Sequence, residues 1–415
     1  MGRNIFFVLC YFMTLSSVAQ TKLLYNQSIE AYKNGDFKTF LELNKKLDSI
    51  RPMHPTFTYN LAAAYSLNKK DDEALRVLNQ VVLANNSISF EEDADFEFIK
   101  KTDGFSQLKE VKLHQGKTVE SAVFKFDLSQ KDLHPEGLLY LSKHKLWLAS
   151  SIRNKKIVTF NNLGVCDDWL ADLPYAVFAL KSDANQKYLW VLCSAVPEMK
   201  NFTQESDGKC EVLKIDIASR KIIKQIAVDG KHIFGDLIVA KNGDVYISDS
   251  NEPSIYKVVN DEISLWKNFA GEAFNLQGIT FNEDQSKIFI ADYLKGIAVI
   301  SVNDNSKMSW ITFPIEASKK GIDGLVYYKN SLITIQNGVV PIRIVKFDLN
   351  NEQNQIANYV VLDNNRTVFN EPALATIVGN KMYFFANSPW KFYDKNGQLD
   401  ETKIDYPKLY ELTFN

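Results

Sequence analysis

The chain has 415 residues, 46% hydrophobic, 12% aromatic and 24% charged, a composition that builds packed cores and excludes a disordered, collagenous or coiled-coil protein. Its length exceeds one ordinary compact core, so two units are expected. Lys plus Arg of 48 against Asp plus Glu of 50 gives a formal charge of -2; the basic field by which nucleic-acid binders release counterions is missing, and no nucleic-acid partner is expected.

Residues 1–19 read as a secretory signal: Arg3, an apolar run from Ile5 to Leu15, then Ser16-Ser17-Val18-Ala19, with cleavage after Ala19. The apolar run, about eleven residues, falls short of the roughly 20 that span a bilayer, so no transmembrane segment is expected after leader removal. The expected compartment is periplasmic or extracellular. Cys10 leaves with the leader, and Cys166, Cys193 and Cys210 are too few and too odd in number for a disulfide framework. Cys193 and Cys210 flank a polar loop and read either as a pair across a hairpin or as two free thiols.

From residue 20 to about 113, apolar positions recur at helical spacing with breaks at Asn34-Gly35 and Arg51-Pro52, which predicts short antiparallel helices. Tyr25, Ala31 and Tyr32 are answered 33 residues later by Thr58, Ala64 and Tyr65, a helix-turn-helix period. On Leu61, Ala62, Tyr65, Ala74 and Leu78 the unit resembles a tetratricopeptide repeat, with Thr58 where that motif carries tryptophan. The segment Phe96 to Val111 is predicted to complete the stack, its helix start favoured by the acidic cluster Glu91, Glu92, Asp93, Asp95 and Glu97. The unit reads either as a groove for a protein partner or as a packing module.

From Val119 onward the pattern changes to short alternating strands punctuated by Asn, Asp and Gly turns. One unit recurs: an inner strand opened by a polar residue, a tight turn, a second strand with a large residue at a fixed place, and a small or polar exit. Glu136-Gly137-Leu138 with Trp147-Leu148-Ala149-Ser150 shows it, as do Gly235-Asp236-Leu237 with Tyr246-Ile247-Ser248-Asp249 and Gln277-Gly278-Ile279 with Phe289-Ile290-Ala291-Asp292. Asp323-Gly324-Leu325 and Glu371-Pro372-Ala373 open two more copies, and Val177 opens one that has lost the polar residue. The openers stand 41, 59, 41, 46 and 48 residues apart, room for four strands each. The expected fold class is therefore mainly β: a six-bladed β-propeller over 119–415, preceded by the small helical domain over 20–113. Closure of the ring is expected from Val119 to Phe126 pairing with Lys408 to Phe414, and Trp147, Trp190, Tyr246, Phe289 and Tyr383, at one register, read as inter-blade core.

Antiparallel pairing places the start of each inner strand beside the end of the second. Glu136, Asp236, Gln277, Asp323 and Glu371 are thus expected around one mouth, with Ser150, Ser194, Asp249, Asp292, Asn337 and Asn387 behind them. His134 is expected to look in beside Glu136, and the polar insert Ala195 to Lys209 to lie on the rim. Acids converging in a confined mouth repel one another unless a cation or proton offsets them. They read either as oxygen ligands for a hard divalent cation, Ca²⁺ or another, or as acids solvated or hydrogen-bonded to neighbouring blades. No nucleophile elbow, phosphate loop or paired histidine spacing is present, so covalent catalysis, nucleotide chemistry and a histidine-type zinc site lack support.

These openers resemble those of the gluconolactonase, senescence marker protein and luciferin-regenerating enzyme-like family of six-bladed propellers, and more loosely NHL-type repeat propellers. The resemblance covers Val119 to Phe414 and rests on Glu136-Gly137 and Asp323-Gly324, with Gln277 at the place of an asparagine and Gly235-Asp236 where the family tends to carry Asn-Asp. It implies a divalent cation held by Glu136, Gln277 and Asp323, with Asp323 as the catalytic base. Asp236 is the expected substrate contact, joined by Glu371 and His134 from the same mouth. Two functions are expected as alternatives: an exported metal-dependent hydrolase of sugar lactones or similar small esters, or a non-catalytic propeller binding a protein or carbohydrate through its mouth and helical repeats.

Overall fold

The computed structural model describes residues 20–414, so the leader reading over 1–19, Cys10 included, lies outside the described residues. The chain divides into two compact units, the first ending at Gly116 and the second beginning at Lys117.

The first unit runs through α1 (residues 20–33), α2 (Phe37–Ile50), α3 (Pro55–Leu67), α4 (Asp71–Ala84) and α5 (Asp103–Gln115). The first break is made by Gly35 at φ +71°, after which the Asp36 carboxylate accepts from the Thr39 N–H and caps α2. Pro55 opens α3, where its missing N–H costs nothing. The run Ala62-Ala63-Ala64 is buried and gives α3 a slim body between α2 and α4, around a core of Phe40, Leu78, Phe90, Phe96 and Phe105. Among the described residues no helix is long and apolar enough to cross a membrane.

The last helix does not start at the acidic cluster. It begins at Asp103, where Thr102 caps it by accepting from the Phe105 N–H. The acids are drawn instead to tyrosine and lysine partners. Asp93 caps a 3₁₀ turn at Ala94–Phe96 and accepts the Tyr59 hydroxyl at 2.5 Å, Asp95 accepts that of Tyr32 at 2.8 Å, and Glu91 pairs with Lys112 at 2.6 Å.

The second unit is a six-bladed β-propeller of four-stranded antiparallel sheets, one of which gains a short fifth strand. The inner strands of blades 1 to 6 are Leu138–Leu141, Ala176–Ser182, Phe234–Val239, Leu276–Phe281, Ile322–Tyr328 and Ala375–Val378. Ring contacts cross the blade junctions: Trp147 meets Tyr383 at 4.8 Å, Tyr246 meets Phe281 at 5.7 Å, and Phe289 meets Tyr327 at 6.1 Å between centroids. The fixed large residue of the second strands is thus the wedge between sheets.

Closure uses the expected segment, divided in two. Val123–Asp127 is the outer strand of blade 6, with Val123 opposite Glu411 and Asp127 opposite Lys408. Val119–Glu120 instead adds to blade 5, with Val119 opposite Asn364. The division is made at Ala122, whose N–H donates to the fully buried Asp363 carboxylate at 2.8 Å while the Arg366 guanidinium donates to its carbonyl. One short segment therefore latches two blades.

Cys193 and Cys210 are free thiols. Cys193 lies opposite Glu211 and packs between blades 1 and 2, whereas Cys210 lies opposite Ser194 and packs toward blade 3. Neighbouring register positions point to opposite faces of a sheet, so the two sulfurs cannot meet.

Candidate functional site

The inner strands of blades 2 to 5 slip register at their mouth ends, between Val177 and Leu180, Phe234 and Asp236, Leu276 and Ile279, and Ile322 and Gly324. A bulge re-aims the side chains it carries. Phe178, Asp236, Gln277 and Asp323 come from these segments and line one central cavity of about 270 Å³ together with Glu136 and Glu371. All five polar openers therefore meet. Two glycines let the blades close on it: a Cβ at Gly278 would lie 2.6 Å from the Asp323 carbonyl, and one at Gly324 would lie 2.2 Å from that of Ala373.

The acids are not equivalent. Asp236 is 3% exposed, and its two oxygens accept backbone N–H groups from Leu237 at 2.9 Å and Ile279 at 3.2 Å, so it staples blade 3 to blade 4. Glu136 accepts the Trp390 indole N–H at 2.7 Å, and Asp323 accepts the side-chain amide of Asn337. Asn337 in turn accepts the Tyr293 hydroxyl at 3.0 Å. Glu371, held at φ +54°, has a buried Oε2 with no hydrogen-bond partner. Gln277 spends its amide N–H on Asn275, which leaves its Oε1 as the acceptor.

Burial, with the charges of Asp323 and Glu371, pushes Glu136 up to about 8, against the Trp390 hydrogen bond. Burial likewise pushes Asp323 up to about 7, opposed by Asn337 and reinforced by Asp236 and Glu371. Asp236 and Glu371 are raised by burial too, and burial with the negative charges of Asp323 and Glu371 holds the Tyr293 phenol well above its usual range. The cavity holds more negative charge than it can carry without a proton or cation.

Most of the residues expected behind the openers are structural. Ser150 accepts from the Glu136 and Gly137 N–H groups and donates to the Phe178 carbonyl across the blade junction. Asp249 and Asp292 collect backbone N–H groups of their own loops, and Asn387 spans Tyr406 and Lys408. Asn337 alone among them lines the cavity.

His134 does not line the central cavity. At φ +47° the chain leaves the extended path two residues before Glu136, so the alternation that would put both on one side is broken. The imidazole is fully buried behind Trp390, at 4.4 Å edge-to-face, and its Nδ1 lies 2.9 Å from the Tyr393 hydroxyl. Burial, aided by Arg153, drives its pKa down to about 3 and keeps it neutral.

Trp390 and Tyr293 were not legible in the sequence as site residues. Trp390 sits in a 3₁₀ turn, Trp390–Phe392, inside the long connection of blade 6; Tyr293 directly follows the exit Asp292 of blade 4. The signal available was loop length for the first and adjacency to an exit for the second. The insert Ala195 to Lys209 lies on this rim but is apolar where it counts: Ala195, Val196 and Met199 pack with Phe178 and Trp390. It meets the blade 6 connection where a Cβ on Gly397, at φ +74°, would lie 2.0 Å from the Pro197 carbonyl. The cavity therefore has an acidic wall from blades 1, 3, 5 and 6 and an apolar wall of Phe178, Ile233, Leu374 and Trp390.

Among the described residues no three acidic, histidine or cysteine side chains stand at the spacing of a ready-made metal cluster. The donor chemistry nevertheless fits a hard dication: Glu136 and Asp323 with raised pKa values, the Gln277 Oε1, and the unpartnered Oε2 of Glu371.

No protein-family model matches the chain, and no curated protein matches it. Among solved structures it is similar to a gluconolactonase from Xanthomonas campestris, with 13% identity and a TM-score of 0.48 over 72% of this chain and 91% of that one. It is similar to a luciferin-regenerating enzyme at 12% identity and TM-score 0.48, over 71% and 95% of the chains. Regucalcin from Agrobacterium tumefaciens strain C58, described as calcium-binding, gives 12% and 0.49 over 71% and 93%. The likeness is one of fold alone.

Proposed function

We propose that the central cavity binds a divalent cation and, beside it, a small cyclic ester such as a sugar lactone, which the protein hydrolyses. The observation that carries this reading is the convergence of Glu136, Asp323 and Glu371, each with its pKa raised, on one cavity whose opposite wall is apolar. Glu136, Asp323, Gln277 and Glu371 would hold the cation, which when bound polarises a carbonyl and acidifies water. Asp323, positioned by Asn337, takes the proton of the attacking water, and Trp390, whose indole N–H holds Glu136, supplies apolar surface beside the ligand ring. Export of the protein, proposed on residues 1–19, would place this chemistry in the periplasm or outside the cell.

A second reading, a non-catalytic binding mouth, is favoured by Asp236, whose oxygens are both taken by backbone amides and so are withdrawn from chemistry. Thermal melting of the full protein with CaCl₂ and with MgCl₂ tests the cation: a saturable rise following RT ln(1 + [L]/Kd) is expected, and its loss in Glu136→Ala and Asp323→Ala. Cation-dependent turnover of five- and six-membered sugar lactones, followed by acid release, then separates hydrolase from binding mouth. No saturable shift with either ion overturns the cation site, and a shift without turnover of any lactone favours the second reading.

A further inference from the structure

Tyr293 lines the central cavity and has no part in the chemistry just described, yet it is tied at its two ends to two donors of the candidate cation site. Its hydroxyl meets Oδ1 of Asn337 at 3.0 Å, just past the second strand of blade 5, Ser331–Gln336. Nδ2 of Asn337 donates to the Asp323 carboxylate and, at 3.1 Å, to the Pro372 carbonyl. A carbonyl can only accept, so the Asn337 atom facing Pro372 is nitrogen and the one facing Tyr293 is oxygen. The phenol is therefore the donor, and burial with the charges of Asp323 and Glu371 keeps its proton in place.

At the other end the Tyr293 N–H donates to the Asn275 carbonyl at 2.9 Å, and the Asn275 side chain accepts the amide of Gln277. Asn275 is itself fixed, its Nδ2 donating to the Ser250 carbonyl at 3.0 Å and its backbone N–H to the Asp292 carboxylate at 2.8 Å. The Tyr293 carbonyl accepts the Gly321 N–H at 2.7 Å, two residues before Asp323. The ring between these ends is seated on backbone: a Cβ on Gly338 would lie 2.5 Å from both Cζ and Oη of Tyr293.

We propose that Tyr293 is a positioning residue for the cation. It spans blades 4 and 5, and through Asn275 at its backbone end and Asn337 at its hydroxyl end it sets the spacing between the Gln277 Oε1 and the Asp323 carboxylate. This role rests on the cation reading above and adds to it the group that holds two of its donors in register. Partners that orient ligating side chains carry a measurable share of metal affinity.

Calorimetric titration with CaCl₂ and with MgCl₂ of full-length wild type, Tyr293→Phe, Asn337→Ala and the double variant tests this. Tyr293→Phe keeps the ring on Gly338 and both backbone hydrogen bonds, and the freed Asn337 oxygen faces the open cavity, so its melt without divalent ions should stay close to that of wild type. Its affinity for the bound ion should fall about fivefold, the ratio that one neutral hydrogen bond carries. Asn337→Ala should weaken binding further. In that background Tyr293→Phe should change nothing more, because the hydroxyl acts through the amide. A merely structural tyrosine would instead lower the ion-free melt and weaken the ion equally in both backgrounds. Tyr293→Phe binding as tightly as wild type, or losing as much affinity in the Asn337→Ala background as alone, overturns the positioning role and leaves the cation reading standing. Absence of binding of either ion to wild type is a separate result, which overturns the cation reading and the positioning role with it.

Discussion

The raised acids of the central cavity make a prediction about stability whose sign is fixed by the structure. Glu136 sits at about 8 in the folded protein against an ordinary 4.5. A carboxyl raised on folding contributes its full stability below its ordinary value and loses it as pH climbs toward the folded value, because the unfolded chain ionises first. At pH 7 this imbalance is worth about 3 kcal/mol, taking 1.4 kcal/mol for each tenfold in proton binding. Glu136→Gln abolishes it while keeping an oxygen for the Trp390 indole N–H. In denaturant melts without divalent ions, the variant should exceed wild type by under about 1 kcal/mol at pH 5 and by about 4 kcal/mol at pH 7.5. Saturating Ca²⁺ should close the gap by stabilising wild type alone. A difference that stays constant from pH 5 to 8, or a variant weaker than wild type at pH 7.5, would refute the buried-acid account.

Gly324→Ala should cost on the order of 3 kcal/mol, because its Cβ overlaps the Ala373 carbonyl at 2.2 Å and the backbone beside Asp323 must give way; a melt reads the loss. Asp363→Ala strips Ala122 and Arg366 of their buried partner, and a destabilisation of about 3 kcal/mol is expected in urea melts. Reductant should leave the melting temperature unchanged, since Cys193 and Cys210 occupy opposite faces of blade 2; a reductant-sensitive melt, or a mass showing an internal disulfide, would contradict that placement.

The propeller was legible because its signal is repeated. Strand alternation, a polar opener and a large residue at one register each recur blade after blade, and misreading one copy leaves five others. Single events were less legible. The last helix begins at Thr102-Asp103 and not at the acidic run, because side-chain caps decide a helix start locally while those acids had tyrosine and lysine partners elsewhere in the fold. The closing segment was legible as a strand but not as two, since the divider is Asp363, more than two hundred residues away in sequence.

The site divides along the same line. Glu136, Asp236, Gln277, Asp323 and Glu371 meet because each occupies the repeat's mouth position. Trp390 and Tyr293 come from loops outside the repeat, where nothing periodic marks them, and His134 left the expected face through one positive φ. The copy that lost its polar opener has the largest consequence. Blade 2 presents Phe178 where its siblings present acids or an amide, and the insert Ala195 to Lys209 packs against that ring to bring Trp390 into the wall. A ring of six polar openers would suit an ion alone. Five openers facing an aromatic wall suit an ion with an organic ligand beside it, because the apolar face buries a carbon skeleton while the acids hold the charge. The departure from the repeat is therefore what turns a symmetric mouth into a site with two unlike sides.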